Sequence, residues 1–326
     1  MIFKKALTLS LAFIVGGLLS TVSVAQEYPN KPVRFILPFP SGGSADAVAR
    51  DLAEQLRIKS GGNPFVVENK PGAAANLGTG YVVKSPADGY TILVGVTGAM
   101  TINPELYPDL GYQPDKDLAA ISMMAQAPVV IVASKQSGIT SLQQLVSRAK
   151  EQPGRITYAT NGVGTSHHLA GEMFKHRVGI SMLNVPYNGT PAALTDIVAG
   201  RVDAGFLDLT AAMPLIQAGR LVALATTGTT RPEALAQVPT VAEAGYPGYE
   251  AMTWIALFAP KDMNREHIKK LSRMVNEVLA EDSFKKNVAA KGLEAVGSTP
   301  EALQKFVSEE TVKWRAVIKK SNIKRN

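Results

Sequence analysis

The sequence predicts an α/β protein of two domains, each a mostly parallel sheet flanked by helices. Three observations lead there. Short apolar runs alternate with amphipathic helical stretches along most of the chain, the pattern of parallel strands covered on both faces. The chain has 326 residues, and about 300 residues exceed the comfortable size of one hydrophobic core. The turns that follow the apolar runs are rich in Gly, Ser, Thr and Asn, and in open α/β folds the carboxyl ends of the strands are where ligands bind.

Residues 1–25 read as a cleaved secretory leader. Lys4 and Lys5 form a basic start, Ala6–Leu19 is apolar, and Ser23-Val24-Ala25 places small residues before a cut at Gln26. An uncleaved anchor would want about 20 apolar residues, more than this stretch supplies. Cysteine is absent, which excludes disulfides, a lipid-anchored cysteine, thiolate metal sites and cysteine nucleophiles. No later segment has the apolar length of a membrane span. Loss of Lys4 and Lys5 lowers the formal charge from +7 to +5. Much of the excess lies in Lys313, Arg315, Lys319, Lys320, Lys324 and Arg325, interleaved with helix-spaced apolar residues. That is a solvated helix face rather than a nucleic-acid site.

The predicted strands are Val33–Leu37, Phe65–Glu68, Thr91–Gly95, Pro128–Ala133, Thr157–Thr160, Met182–Val185, Ala204–Leu207, Val222–Thr226 and Trp254–Ala259. Helices fit between them at 45–58, 75–84, 141–151, 166–176, 191–199 and 210–218. Beyond Pro260 the pattern turns helical. Ile268, Leu271, Val275, Val278 and Leu279 form one stripe, and a last helix opens at Ser298-Thr299-Pro300-Glu301. Either Ser298 caps it with Glu301, or Thr299 caps it with Pro300 in the first turn. Leu303, Phe306, Val307, Trp314, Val317 and Ile318 make its apolar face.

The most telling segment is Pro38-Phe39-Pro40-Ser41-Gly42-Gly43-Ser44-Ala45-Asp46. It joins a strand to a helix N-terminus, where free backbone N–H groups and the positive end of the helix dipole suit an anion. Comparable turns begin at Val96-Thr97, Asn161, Pro186 and Asp208. The windows 38–46, 93–104, 161–171, 184–193 and 206–214 hold 51 residues and no Lys or Arg. Simple proportion would give about five, so a phosphate clamp of guanidinium groups is disfavoured. The hydroxyls of Ser41, Ser44, Thr165, Ser166 and Thr190 serve equally as helix caps.

Enzyme signatures fail on spacing. Gly162-Val163-Gly164 starts a dinucleotide-like turn, but His167 takes the third glycine position; Gly292–Ser298 lacks the lysine of a phosphate loop. Ser166, His167 and Asp208 could be drawn as a hydrolase triad, yet adjacent helical residues point apart. His168 and Glu172 share a helix face, and two ligands without a third make a poor metal site. The expectation is no catalytic residue, no metal and no cofactor.

A series of motifs then resembles one family in order along the chain. These are Tyr28-Pro29-Asn30-Lys31-Pro32-Val33, the 38–46 loop, Glu68-Asn69-Lys70-Pro71-Gly72-Ala73 and Pro86-Ala87-Asp88-Gly89-Tyr90-Thr91. His168-Leu169-Ala170-Gly171-Glu172, Val185-Pro186-Tyr187-Asn188-Gly189 and Val238-Pro239-Thr240-Val241-Ala242-Glu243-Ala244-Gly245 follow. Together they resemble the extracytoplasmic solute-binding proteins of tripartite tricarboxylate transporters, the Bordetella-type uptake receptors. Thr165-Ser166-His167 stands where many members carry proline or small residues, and Asn188 replaces a frequent lysine.

The resemblance implies a two-lobed, type II-like periplasmic binding protein. Residues 26–126 with 250–326 would form lobe 1 and 127–249 lobe 2. It implies a monomer that holds a mono-, di- or tricarboxylate through turn backbone and water, then docks on membrane permease subunits. A sensor feeding a signalling partner is the alternative, with a secreted hydrolase behind it. Phe39, Ser41, Gly42, Gly43, Ser44, Asp46, Ala75, Asn76 and Thr97 would face Asn161, Thr165, Ser166, His167, His168, Tyr187, Asn188, Gly189, Thr190 and Asp208.

Overall fold

A computed structural model describes residues 28–107 and 109–321. The expected leader, residues 1–25, lies outside the described residues, as do Lys324 and Arg325. In the first half, β1 (Val33–Leu37), α1 (Ser44–Lys59), β2 (Phe65–Asn69), α2 (Asn76–Val83) and β3 (Thr91–Val96) follow the predicted order. A wide π turn over Gly98–Ile102 runs into two short helices, α3 (Asn103–Leu106) and α4 (Pro114–Asp117), before β4 (Leu118–Ser134). The middle comprises α5 (Leu142–Glu151), β5 (Thr157–Thr160), α6 (Ser166–Val178), β6 (Leu183–Pro186), α7 (Thr190–Val198), β7 (Ala204–Asp208), α8 (Leu209–Gln217) and β8 (Leu221–Thr226). The chain closes with β9 (Met252–Pro260), α9 (Arg265–Leu279), α10 (Asp282–Ala289), β10 (Glu294–Ala295) and α11 (Pro300–Ser321).

The strand order is β2-β1-β3-β9-β4-β7-β5-β6, with β8 and β10 also paired to β4. Parallel pairing holds among β1, β2 and β3 and among β5, β6 and β7. The crossing strands β4 and β9 add antiparallel neighbours, so the sheets are mixed. β4 changes partner along its length: residues 118–128 pair with β9, and residues 129–133 pair with β7.

Side chains alternate across this framework with the two-residue period of a strand. Val33, Phe35 and Leu37 pack under α1 with Val48, Leu52 and Leu56, whereas Ile36 faces Val82 of α2. In β4, Val129, Ile131 and Ala133 face one core while Val130 and Val132 face another. Both sheet faces are therefore covered.

The sequence pattern anticipated β4 only from Pro128 onward. Its first half, Leu118-Ala-Ala-Ile-Ser-Met-Met-Ala-Gln-Ala127, is rich in Ala and Met, which favour helices over strands. Pairing with β9 overrides that preference, with register shifts at Ala120/Ser122 and Met123/Ala125. The buried Ser122 spans the irregularity, its hydroxyl donating to Ser298 O at 3.1 Å.

At α11 the capping alternatives resolve. Thr299 Oγ1 accepts from Ala302 N at 3.1 Å, and Ser298 Oγ instead accepts from Met123 N at 2.9 Å. The helix packs against two hydrophobic clusters. Leu303 and Val307 pack beside Trp254 and Phe258, and Trp314 is buried among Leu169, Phe174 and Tyr249. Among the described residues, no helix is long and apolar enough to cross a membrane.

Candidate ligand-binding cleft

The loops at the carboxyl ends of β1, β3, β5, β6 and β7 meet in one cleft with about 620 Å³ of atom-free space, partly open to solvent. Of the predicted site residues, Phe39, Gly43, Ser44, Asp46 and Thr97 line one wall. Asn161, Thr165, Ser166, His167, Gly189, Thr190 and Asp208 line the other. No Lys or Arg is in the lining.

Four helix N-termini converge here. Gly43 caps α1 in extended conformation and Gly189 caps α7, neither with a side-chain cap. Asp208 occupies the cap position of α8 without bonding its first turn. Only α6 is capped by a side chain, Thr165 Oγ1 accepting from His168 N at 3.3 Å. The uncapped first turns leave N–H donors and positive dipole ends for an acceptor to meet.

Each wall is organised by an aspartate. Asp46 Oδ2 accepts from Gly42 N at 3.1 Å, and Oδ1 accepts from Asn69 Nδ2 at 3.1 Å. Arg50 Nη2 approaches Oδ1 to 2.9 Å, and Asn69 also donates to Phe39 O at 2.9 Å. Burial pushes the Asp46 carboxyl up, but Arg50, Asn69 and Gly42 outweigh it and hold the group below its ordinary value. Asp46 thus borders the cleft while its carboxylate is spent on shaping the 38–46 loop.

Across the cleft, Asp208 Oδ2 accepts from Asn161 Nδ2 at 3.0 Å and from Thr190 Oγ1 at 2.5 Å. Thr190 Oγ1 also lies 2.9 Å from Asn161 Oδ1. A hydroxyl has one proton to give, and the charged acceptor takes it. His167 Nε2 lies 3.3 Å from Asp208 Oδ1 and has no hydrogen-bond partner among the described residues. Burial alone would raise the Asp208 carboxyl; the His167 imidazole, Thr190 and Asn161 lower it to about 2.

The walls touch. Ser44 Oγ donates to Thr210 Oγ1 at 3.0 Å, and Tyr107 Oη donates to Val163 O at 3.2 Å. A Cβ on Gly189 would come within 2.7 Å of Pro40 Cγ, and the φ of +101° there also favours glycine. This is a closed arrangement.

Seven predicted residues fall outside the lining. Ser41 and Asn188 are exposed. Gly42 serves the Asp46 network. Ala75 ends a run of left-handed alanines with φ of 48°, 51° and 80° at Ala73, Ala74 and Ala75. Asn76 Oδ1 accepts from Asn103 Nδ2 at 2.5 Å and from Tyr112 Oη at 3.0 Å. Tyr187 Oη donates to Asp196 at 2.7 Å; burial and that bond push its phenol up to about 12. His168 Nδ1 accepts from Gly164 N at 3.4 Å, and burial pushes its imidazole down. Glu172, its suggested metal co-ligand, is engaged by Tyr158 Oη at 2.5 Å and Lys175 Nζ at 2.7 Å.

Sequence reasoning missed Thr253, Trp254 and Ile255 of β9, along with Pro40, Ala45, Val96, Gly98 and Pro191. The prolines and glycine adjoin predicted turns and were within reach of the same logic. β9 had no turn signal, because it borders the cleft as mid-strand backbone. Trp254 N donates to Thr97 Oγ1 at 2.8 Å, so the Thr97 hydroxyl ties β9 to the end of β3.

The sequence profile described as tripartite tricarboxylate transporter family receptor matches residues 48–323. Protein BugT of Bordetella pertussis is 35% identical over 317 residues, covering 95% of this chain and 97% of its own. R. palustris Rpa4515, solved with adipate, is similar at a TM-score of 0.89 and 34% identity, covering 91% of this chain and 99% of that one. The periplasmic binding protein BugD gives 0.86 and 33%, covering 92% and 100%. MatC of Rhodopseudomonas palustris, solved with malate, gives 0.83 and 28%, covering 89% and 100%.

Proposed function

Because the chain belongs to the tripartite tricarboxylate transporter receptor family, we propose that it captures a small carboxylate and delivers it to a membrane transporter. One observation carries this reading: four helix N-termini meet in a cleft whose lining has no Lys or Arg. Backbone N–H groups, hydroxyls and bridging waters would hold the anion, which permits reversible binding without a fixed counter-charge. Phe39, Val96 and Ile255 in the same lining suit a carbon skeleton. Adipate in one structural relative and malate in another support a carboxylate as the ligand class.

The lobes in this reading are residues 26–126 with 250–326 and residues 127–249, joined through β4 and β9. The ligand favours closure through contacts made with both lobes at once, and the closed form is what the permease subunits read. The protein works as a monomer in the periplasm after loss of residues 1–25, binding its ligand without turning it over. Isothermal calorimetry of the mature chain against mono-, di- and tricarboxylates tests this. Saturable heat with at least one member is expected, and native mass spectrometry of freshly purified protein should reveal a trapped acid. Absence of heat at millimolar ligand, with no trapped acid, would sink the proposal.

A further inference from the structure

We propose that His167 takes up a proton from solvent when the carboxylate binds, so that ligand affinity is tied to pH through this one side chain. The inference rests on the carboxylate reading above. His167 is only 7% exposed and lines the cleft from the first turn of α6. Its Nε2 is buried without a hydrogen-bond partner although Asp208 Oδ1 lies 3.3 Å away. A buried ring nitrogen left unpaired is costly unless another state of the protein uses it.

Charge supplies that use. The wall beside His167 already holds the Asp208 carboxylate, whose donors Asn161 and Thr190 are neutral. A ligand carboxylate entering the same lining brings a second negative charge into a space with no Lys or Arg. Two anions at close quarters in a partly dry site favour protonation of whatever base adjoins them. His167 is the base in the lining, and as imidazolium it would stand between the two carboxylates. The step is balanced: neutral imidazole, ligand anion and one solvent proton give an imidazolium flanked by two carboxylates.

The other charged groups around it are already engaged. Asp46 from α1 is paired with Arg50. On α6 itself Glu172 is paired with Lys175, and His168 lies outside the cleft lining with burial pushing its imidazole down. Asp196 of α7 is paired with Arg201, and Glu310 of α11 with Lys313. β9 contributes no titratable residue.

The test is calorimetry of the mature chain with the tightest-binding member of a carboxylate panel that includes adipate and malate. Titrations run at one pH in phosphate and in Tris, whose ionisation heats differ. The expected result is a buffer-dependent heat equal to uptake of about one proton at mildly alkaline pH, with affinity falling about tenfold per pH unit there. His167→Gln should bind with no buffer dependence and a flat pH profile, while His176→Gln, on the exposed face of α6, keeps both. Binding with buffer-independent heat, or dependence that survives in His167→Gln, overturns the inference and leaves carboxylate capture standing. No heat from any panel member overturns both. If His167→Gln does not fold, the His167 ring is followed by NMR in the wild-type chain. A ring that gains its proton on ligand addition supports the inference; one that titrates identically with and without ligand overturns it.

Discussion

The two walls of the cleft are each built round an aspartate, and they treat its charge in opposite ways. Asp46 meets a guanidinium, a side-chain amide and a backbone N–H, so the 38–46 loop is neutralised within its own lobe. Asp208 meets a side-chain amide, a hydroxyl and an imidazole, and among the described residues no Lys or Arg. The first wall is a finished cradle whose carboxylate is already paired. The second holds a live negative charge beside a titratable ring. Rigidity and response are thus divided between the walls.

The sharpest test of that contrast is Asp208→Ala. It leaves the donors of Asn161 and Thr190 without their acceptor, a loss of about 3 kcal/mol in stability when several such bonds are unmade. The acid limb should change too. The Asp208 carboxyl is held at about 2 in the fold, against an ordinary value of about 3.9. Because the folded value is the lower one, its contribution is complete above about pH 4 and lost as pH falls toward 2. Denaturant melts across that range should show a shallower acid loss in Asp208→Ala than in the wild type. An unchanged acid limb would mean that Asp208 is not the charged centre of its wall.

Gly189→Ala probes how the walls meet. The new methyl would stand 2.7 Å from Pro40 Cγ in the closed arrangement, an overlap worth about 1–3 kcal/mol if Pro40 yields only in part. Opening the lobes relieves it, so ligand affinity should fall about tenfold to a hundredfold. Small-angle scattering with saturating ligand should report a larger radius than for the wild type. Wild-type affinity in this variant would show that closure does not bring Gly189 onto Pro40.

Much of this was legible in the sequence, and the omissions have physical causes. The strand–turn–helix order at 33–58 and the glycine- and hydroxyl-rich turns at 161–167 and 189–190 placed most of the cleft lining, because local turn chemistry is a short-range signal. The first half of β4 was not legible, since Ala and Met carry no strand preference and only β9 makes them a strand. Nor was the division of labour among polar residues. Asn76, Tyr187 and His168 look like ligand contacts in a list of turn residues, yet each is taken by a partner distant in sequence or in its own turn. Such pairings depend on how loops face one another, which no periodicity encodes.

The smallest expected effect is on the finished wall, in Asp46→Asn. The Arg50 side chain is 48% exposed, and an ion pair with an exposed partner contributes under about 1 kcal/mol. An asparagine oxygen can still accept from Gly42 N, while its amide opposes that of Asn69. The net loss should be about 1 kcal/mol in stability, with affinity down about threefold to tenfold as the loop loses preorganisation. Unlike a change at His167 or Asp208, it should leave proton uptake on binding untouched, because the Asp46 charge is balanced by Arg50 before any ligand arrives. Buffer-dependent calorimetry of Asp46→Asn decides this directly. Proton uptake altered by half a proton or more would mean that the two aspartates share one charge network across the cleft, and the contrast between the walls would fail.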